Sequence, residues 1–298
     1  MFVHDYSAGS EGIPGIAIKN LNVHQTGTGL ADGGEYGSAI ELEDDNFRAD
    51  NWQVLNNTVG YCGSHGNCIE FQGDTGSSSV IQGNSVQTWT HNGIDTKGVG
   101  TLLITNNVAH DEFNTGTTSP PPVGGAACYY NESNFSAGTG FDQDSVTENI
   151  TFIANTCYNN SIGVQCSGGG TAQSNVGTNT INCYVFNNVF QNLEQTASGG
   201  DGVGIYVGNG VFDETRHINF NATGNVLGAN YPLSSDSDTE TSLTAWNNNN
   251  DGAAISGTIT MRWHGADYTS LNGWQGSGAC TGGCGGGDLW QINPGWDN

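Results

Sequence analysis

Three short segments carry acids at matching places: AIELED at 39–44, CIEFQG at 68–73 and GIDTKG at 93–98. In each, an isoleucine (Ile40, Ile69, Ile94) precedes a carboxylate (Glu41, Glu70, Asp95), and two residues later stands Glu43, Gln72 or Lys97. If these segments are strands, alternation turns the isoleucines inward and sets the carboxylates on one outer face. On neighbouring strands about 4.8 Å apart, unrelieved carboxylates oppose folding, so a cation is expected among them. Calcium takes several carboxylate oxygens in a flexible shell, and Glu41, Glu43, Glu70 and Asp95 are its expected ligands. Lys97 and Arg48 are the local basic side chains in a chain with only 5 Lys plus Arg. Carboxylates beside a lysine can also move protons, and His65 and His91 precede Glu70 and Asp95 at similar positions. The structural alternatives are that Lys97 is a surface ion-pair partner of Asp95 or Glu70, and that Glu41, Glu43, Asp44 and Asp45 form a solvated acidic edge.

Later segments continue the same strand. GVQCSG at 163–168 and GIYVGN at 204–209 align with it, and ACYYNE at 127–132 is placed in the set with Tyr129 pointing outward. The first outward column then reads Glu41, Glu70, Asp95, Tyr129, Gln165, Tyr206, and the second Glu43, Gln72, Lys97, Asn131, Ser167, Gly208.

What positions these strands is a repeat. Asn22, Asn57, Asn84, Asn107, Asn155, Asn188 and Asn225 each follow a short alternating apolar run, at spacings of 35, 27, 23, 48, 33 and 37 residues. A floor near 23 residues with irregular excess is the signature of coils of constant core with variable loops. One coil cannot bury its own apolar side chains, whereas stacked coils share a core and pair each other's backbone groups. Asparagine suits the corner, because it tolerates left-handed backbone and its amide can bond to the same residue one coil away. The expected fold is all-β: a single-domain parallel β-helix, or solenoid, over residues 1–298 with an asparagine ladder. Its coils run roughly from 14 to 260, and a capping tail from 261 to 298 places Trp263, Trp274, Trp290 and Trp296 over the open end.

Composition agrees, since 47 glycines, 6 prolines and 11% charged residues leave little room for amphipathic helices. The net charge of −24, from 29 acids, excludes nucleic acid and anionic membrane as partners of the surface as a whole. No apolar run approaches membrane-spanning length, and MFVHDYSAGS lacks a charged-then-apolar signal segment, so the expectation is a mature or trimmed chain. Among the eight cysteines, Cys62 with Cys68, Cys157 with Cys166 and Cys280 with Cys284 are spaced for local disulfides in an oxidising, extracellular setting. Cys128 and Cys183 then pair with each other or remain thiols.

The asparagine corners, the IDTKG-type strands and the tail WHGADYTSLNGWQ ending in DLWQINPGW resemble secreted right-handed parallel β-helix proteins of the pectate-lyase-like superfamily. The resemblance covers roughly residues 14 to 296, and the superfamily hosts lyases, hydrolases, epimerases and adhesins. It implies a right-handed helix and an acidic polysaccharide as partner, cleaved by calcium-assisted β-elimination. Lys97 would then take the C5 proton of a uronate; Arg48, His65 or His91 would donate to the leaving oxygen or clamp the sugar; Tyr129 and Tyr206 would stack on sugar rings. Arg48 stands where a lysine base is found in the alginate and dermatan lyase pattern echoed by Glu41 and Glu43. A glycoside hydrolase using a carboxylate pair, or a non-catalytic adhesin or fibre module, are the other classes this face admits.

Overall fold

The computed structural model describes residues 2–5, 15–24, 38–44, 51–62, 67–72, 78–89, 91–97, 100–111, 127–132, 147–167, 179–193, 202–208, 216–235, 241–253, 255 and 257–294. Their strands form three sheets of ten, nine and nine strands, each taking every third strand along most of the chain. The first sheet contains Ile40–Asp44, Ile69–Gln72, Ile94–Lys97, Ala127–Glu132, Ile162–Ser167 and Val203–Gly208 in that order. The second contains Gln53–Leu55, Ser79–Gln82, Thr101–Thr105 and their successors, and the third Thr58–Cys62, Ser85–Trp89, Val108–His110 and theirs. All pairings are parallel except that of Met261–Trp263 with Ala266–Tyr268. This is an all-β arrangement compatible with a parallel β-helix. The sequence pattern exposed two strands per coil; the third begins immediately after each corner asparagine, in phrases such as Thr58–Val59 and Ser85–Val86.

Period-2 alternation puts one apolar column from each sheet into a common interior. Ile40, Ile69, Ile94, Val164 and Ile205 come from the first sheet, Val54, Ile81, Ile104, Phe152 and Val185 from the second, and Val59, Val86, Ala109, Cys157 and Phe190 from the third; all are 0% exposed. Parallel strands about 4.8 Å apart bring like side chains into register, so each column stacks on itself.

The corner between the second and third sheets divides its work between two residues. Asn56, Gly83, Asn106, Ala154, Asn187, Gly224 and Asn248 hold φ between 53° and 73°, the left-handed region. Each is followed by a buried asparagine: Asn57, Asn84, Asn107, Asn155, Asn188, Asn225 and Asn249. The left-handed geometry expected of the corner asparagine thus falls on its predecessor, which leaves the asparagine free to bond along the stack. From Asn57 onward each asparagine donates its backbone N–H to the Oδ1 of its counterpart in the next coil, at 2.8–3.0 Å. The first partner in this row is Leu21, whose N–H reaches Asn57 Oδ1 at 2.9 Å. Asn22 is therefore not a member: the left-handed residue of its coil is Asn20, one position early, and Asn22 is exposed and opposite Thr58. At the other end the row runs beyond Asn225 to Asn249 and Asp288.

All eight cysteines are paired, which is compatible with an extracellular setting. Cys62–Cys68 and Cys280–Cys284 join as expected, but Cys157 bonds Cys128 and Cys166 bonds Cys183. Cys157 and Cys166 flank one turn, yet their side chains enter the core and meet cysteines on other sheets, so neighbours in space displaced neighbours in sequence. At the carboxyl-terminal end the helix Leu271–Gln275 packs Trp274, fully buried, edge-on against Trp246 with centroids 6.2 Å apart. Trp263 is also buried and Trp290 half-buried, while Trp296 lies outside the described residues. Among the described residues no helix is long and apolar enough to cross a membrane.

Asn107→Ala removes the acceptor for Asn84 N–H and the donor to Ile81 O. It is expected to cost about 3 kcal/mol, against less than about 0.5 kcal/mol for Asn22→Ala, as read from denaturant midpoints.

Candidate functional site

The outer face of the first sheet gathers the acids as the strand pattern predicts. Glu41 pairs in register with Glu70, and Glu70 with Asp95. Lys97 leans back from the end of its strand onto both carboxylates, with Nζ 2.6 Å from Glu70 Oε1 and 3.8 Å from Asp95 Oδ2. Lys97 thus supplies one neutralising cation to this face.

Two asparagines absent from the expected site hold the pair. Asn67 and Asn92 precede their carboxylates by three residues, and Ser38 occupies the same position before Glu41. Asn67 Nδ2 donates to Glu70 Oε2 at 3.1 Å and to Asp95 Oδ2 at 2.9 Å, so one amide nitrogen bridges both carboxylates. Ser38 donates to Glu70 Oε2 at 2.5 Å, and Asn92 Nδ2 to Asp95 Oδ2 at 3.3 Å. Asn67 Oδ1 accepts from Asn92 N–H at 3.1 Å and lies 3.0 Å from His91 Nδ1. The signal was present in the sequence as Asn-x-Ile-acid, in Asn67 to Glu70 and Asn92 to Asp95, but the eye rests on the charges.

The two carboxyls titrate apart. Burial pushes Glu70 up, but the charge of Lys97 and hydrogen bonds from Lys97, Ser38 and Asn67 outweigh it and hold the group below the usual range. For Asp95, fully buried, burial wins with help from the charge of Glu70, and its pKa is raised despite Lys97, His91 and Asn92. Asp95 Oδ1 is buried without a hydrogen-bond partner. An ionised group and a more readily protonated one, bridged by an amide and capped by an ammonium, make an acid–base set.

Tyr129 departs from the expected surface. The strand Ala127–Glu132 sits one residue out of the expected register, pairing Ile94 with Tyr129 and Asp95 with Tyr130. Tyr129 is 0% exposed, with its hydroxyl 2.7 Å from Thr156 O, and Asn131 is buried with it. In Ala-Cys-Tyr-Tyr-Asn no aliphatic residue marks the inward position, and the core accepts a tyrosine whose hydroxyl finds a carbonyl. Tyr130 takes the outward place beside Asp95. Tyr206 keeps its expected column and packs with Tyr130 and Tyr231 against Ala127, Ile162 and Val203. Arg48, His65 and the side chain of Glu43 lie outside the described residues.

Of the residues expected to hold calcium, Glu41, Glu70 and Asp95 lie in register on adjacent strands, and the side chain of Glu43 lies outside the described residues. Among the described residues no group of three or more His, Cys, Asp or Glu is gathered to hold a metal ion. Glu70 spends both oxygens on Lys97, Ser38 and Asn67, and Asp95 Oδ2 is taken by Asn67 and Asn92, so these donors suit an ammonium better than a divalent ion. No protein family, characterised protein or solved structure matches this chain.

Lys97→Met leaves Glu70 unneutralised. At neutral pH it is expected to cost roughly 2 kcal/mol, less than a fully buried pair because Lys97 is partly exposed. Glu70 has a lowered folded pKa, so its contribution exists above 4.5 and is lost as pH falls below that value. The difference between wild type and variant should therefore shrink in acid, as checked by thermal melts against pH.

Proposed function

We propose that this chain is an extracellular, single-domain right-handed parallel β-helix protein whose asparagine ladder supports a carbohydrate-active face, and that it cleaves an acidic polysaccharide by β-elimination. The observation that carries the reading is Lys97, one of five basic side chains in a chain of net charge −24, set between two carboxylates of opposed titration on an outer sheet face. The general field of such a protein repels a polyanion, so productive contact depends on the local cation.

A lysine held 2.6 Å from a carboxylate keeps its proton, so the base role expected for Lys97 passes to Glu70. When a uronate carboxylate draws Lys97 toward itself, Glu70 loses its counter-charge and becomes a stronger base. Glu70 then takes the C5 proton, the C4–O bond breaks to leave a C4–C5 double bond, and His91, doubly protonated, gives a proton from Nε2 to the leaving oxygen. Lys97 stabilises the charge that develops on the sugar carboxylate. Tyr130 and Tyr206 offer rings along the same face. In this reading calcium would be held by Glu41 and Glu43, with no step assigned to it.

A second reading, hydrolysis of a glycosidic bond, is favoured by the opposed shifts of Asp95 and Glu70 and the amide nitrogen they share. That is the arrangement of a proton-donating carboxyl beside an ionised one.

The test is incubation with a panel of polyuronates and neutral glycans, with calcium or with chelator, following ultraviolet absorbance of unsaturated ends and the appearance of reducing ends. An absorbance rise that falls about hundredfold in both Lys97→Ala and Glu70→Gln is the expected result. Loss of the rise with chelator would assign calcium a role. Reducing ends without unsaturation would select hydrolysis, and neither signal would leave a binding or structural module.

A further inference from the structure

Asp288 closes the row of corner amides in the place of an asparagine. In the seven rungs from Asn57 to Asn249, Nδ2 donates to a backbone carbonyl of a preceding coil at 2.8–3.2 Å: those of Ile18, Val54, Ile81, Ile104, Phe152, Val185 and Ala222. Asp288 is in register with them. Gly287 before it has φ 74°, like the earlier corner residues, and Leu289 pairs with Asn250 as strand partner. Asp288 Oδ1 does the work of an amide oxygen, accepting from Asn249 N–H at 2.8 Å. Its Oδ2 therefore holds the place of an amide nitrogen, and it is buried with no hydrogen-bond partner. An ionised carboxylate only accepts, whereas a protonated carboxyl can donate as the amide does.

A second carboxyl lies in the same end of the core. Asp251 is 0% exposed; its Oδ2 accepts from Trp246 Nε1 at 3.3 Å, and its Oδ1 has no partner. Trp246 donates to Asp251 and the Asn249 N–H to Asp288, Trp274 packs on Trp246, and Gln275 and Asp288 Oδ2 both border Gly285; the side chains of Trp246, Asn249, Trp274 and Gln275 carry no charge. The charge of Asp288 acts on Asp251, and among the described residues no cation acts on either.

We propose that Asp288 is held as a neutral carboxylic acid whose O–H replaces the missing amide N–H, and that with Asp251 it makes the carboxyl-terminal cap a proton-dependent closure. The cap is tightest in acid and loosens progressively as pH rises through neutrality. The titration agrees: burial lifts Asp288 to about 7, and burial with the charge of Asp288 lifts Asp251 well above the carboxyl range. Both folded values are raised, so the contribution is complete below the ordinary aspartate value of 3.8 and is lost as pH rises, for Asp288 until about 7. This device is independent of the face built on Glu70 and Lys97.

Hydrogen exchange of residues 271–294 in the full chain tests it, read as protection factors from about pH 5 to about pH 9 for wild type and Asp288→Asn. In the wild type the opening constant of the cap should rise about tenfold per pH unit for each proton held. Asp288→Asn should remove one proton's share of that slope and protect the cap better than wild type above about pH 7. An infrared carbonyl band of a protonated acid that is present in the wild type in mild acid, fades near pH 7 and is lost in Asp288→Asn, beside the Asp251 band that both proteins keep, would support the same assignment without relying on the variant's stability. An unchanged slope in Asp288→Asn overturns the proposal. So does full recovery of protection by calcium in alkali, which would assign a cation to the pair instead of a proton.

Discussion

From Asn57 to Asp288 the described turns hang on one recurrent bond, a side-chain oxygen that accepts the backbone N–H of the turn before it. The corner between the second and third sheets needs a left-handed residue, and left-handed backbone takes the following N–H out of the strand ladder. A buried N–H without a partner costs about as much as a lost hydrogen bond or more. The buried asparagine meets that N–H and also donates to a carbonyl of an earlier coil, so its amide ties successive coils together. Because seven such residues repeat this in register, the rise from coil to coil is set along the whole stack, and the loops between strands are free to vary in length without disturbing it.

The face bearing Glu70, Asp95 and Lys97 inherits its precision from that regularity. Rungs fixed in register bring Glu70 opposite Asp95, and a second, shorter pair of amides repeats the corner device at the surface. Asn67 accepts from the backbone of Asn92 and donates to both acids, while Asn92 accepts from the backbone of Ala127. A side chain whose oxygen is spent on the next coil cannot rotate away from the carboxylates it holds. The site is therefore carried on strands and positioned by backbone hydrogen bonds, the arrangement most able to keep acid and base groups at fixed separation.

Much of this was legible from residue types. Ile40, Ile69 and Ile94 with the acids behind them announced both the inward column and the outer one, because an aliphatic residue in a strand can face only one way. The corner asparagines announced the stack, since nothing else explains their recurrence after apolar runs. What was not legible had physical reasons. In Cys-Tyr-Tyr-Asn either tyrosine could face the core, and the choice rests on whether a buried hydroxyl finds a carbonyl, as Tyr129 does at Thr156. Cysteine partners across the interior are set by which sheets meet, information that spacing does not hold. Asn22 looked like a corner residue because its neighbours do, yet Asn20 had already made the turn.

A chain with 29 acids and 5 Lys plus Arg has few cations with which to bury a carboxyl, and the two ends of this structure resolve that shortage differently. At Glu70 a lysine is supplied, and its charge favours the ionised acid. At Asp251 and Asp288 no cation is supplied among the described residues, and desolvation then favours the neutral form. A neutral aspartic acid has the same hydrogen-bond inventory that the corner asks of asparagine, one acceptor and one donor in a planar group. The row of amides can therefore end on an acid without breaking its pattern, provided that the acid keeps its proton. The same burial that makes an acid costly in an anionic protein thus makes Asp288 an adequate last rung, and it ties the closure of the core to the proton activity of the medium.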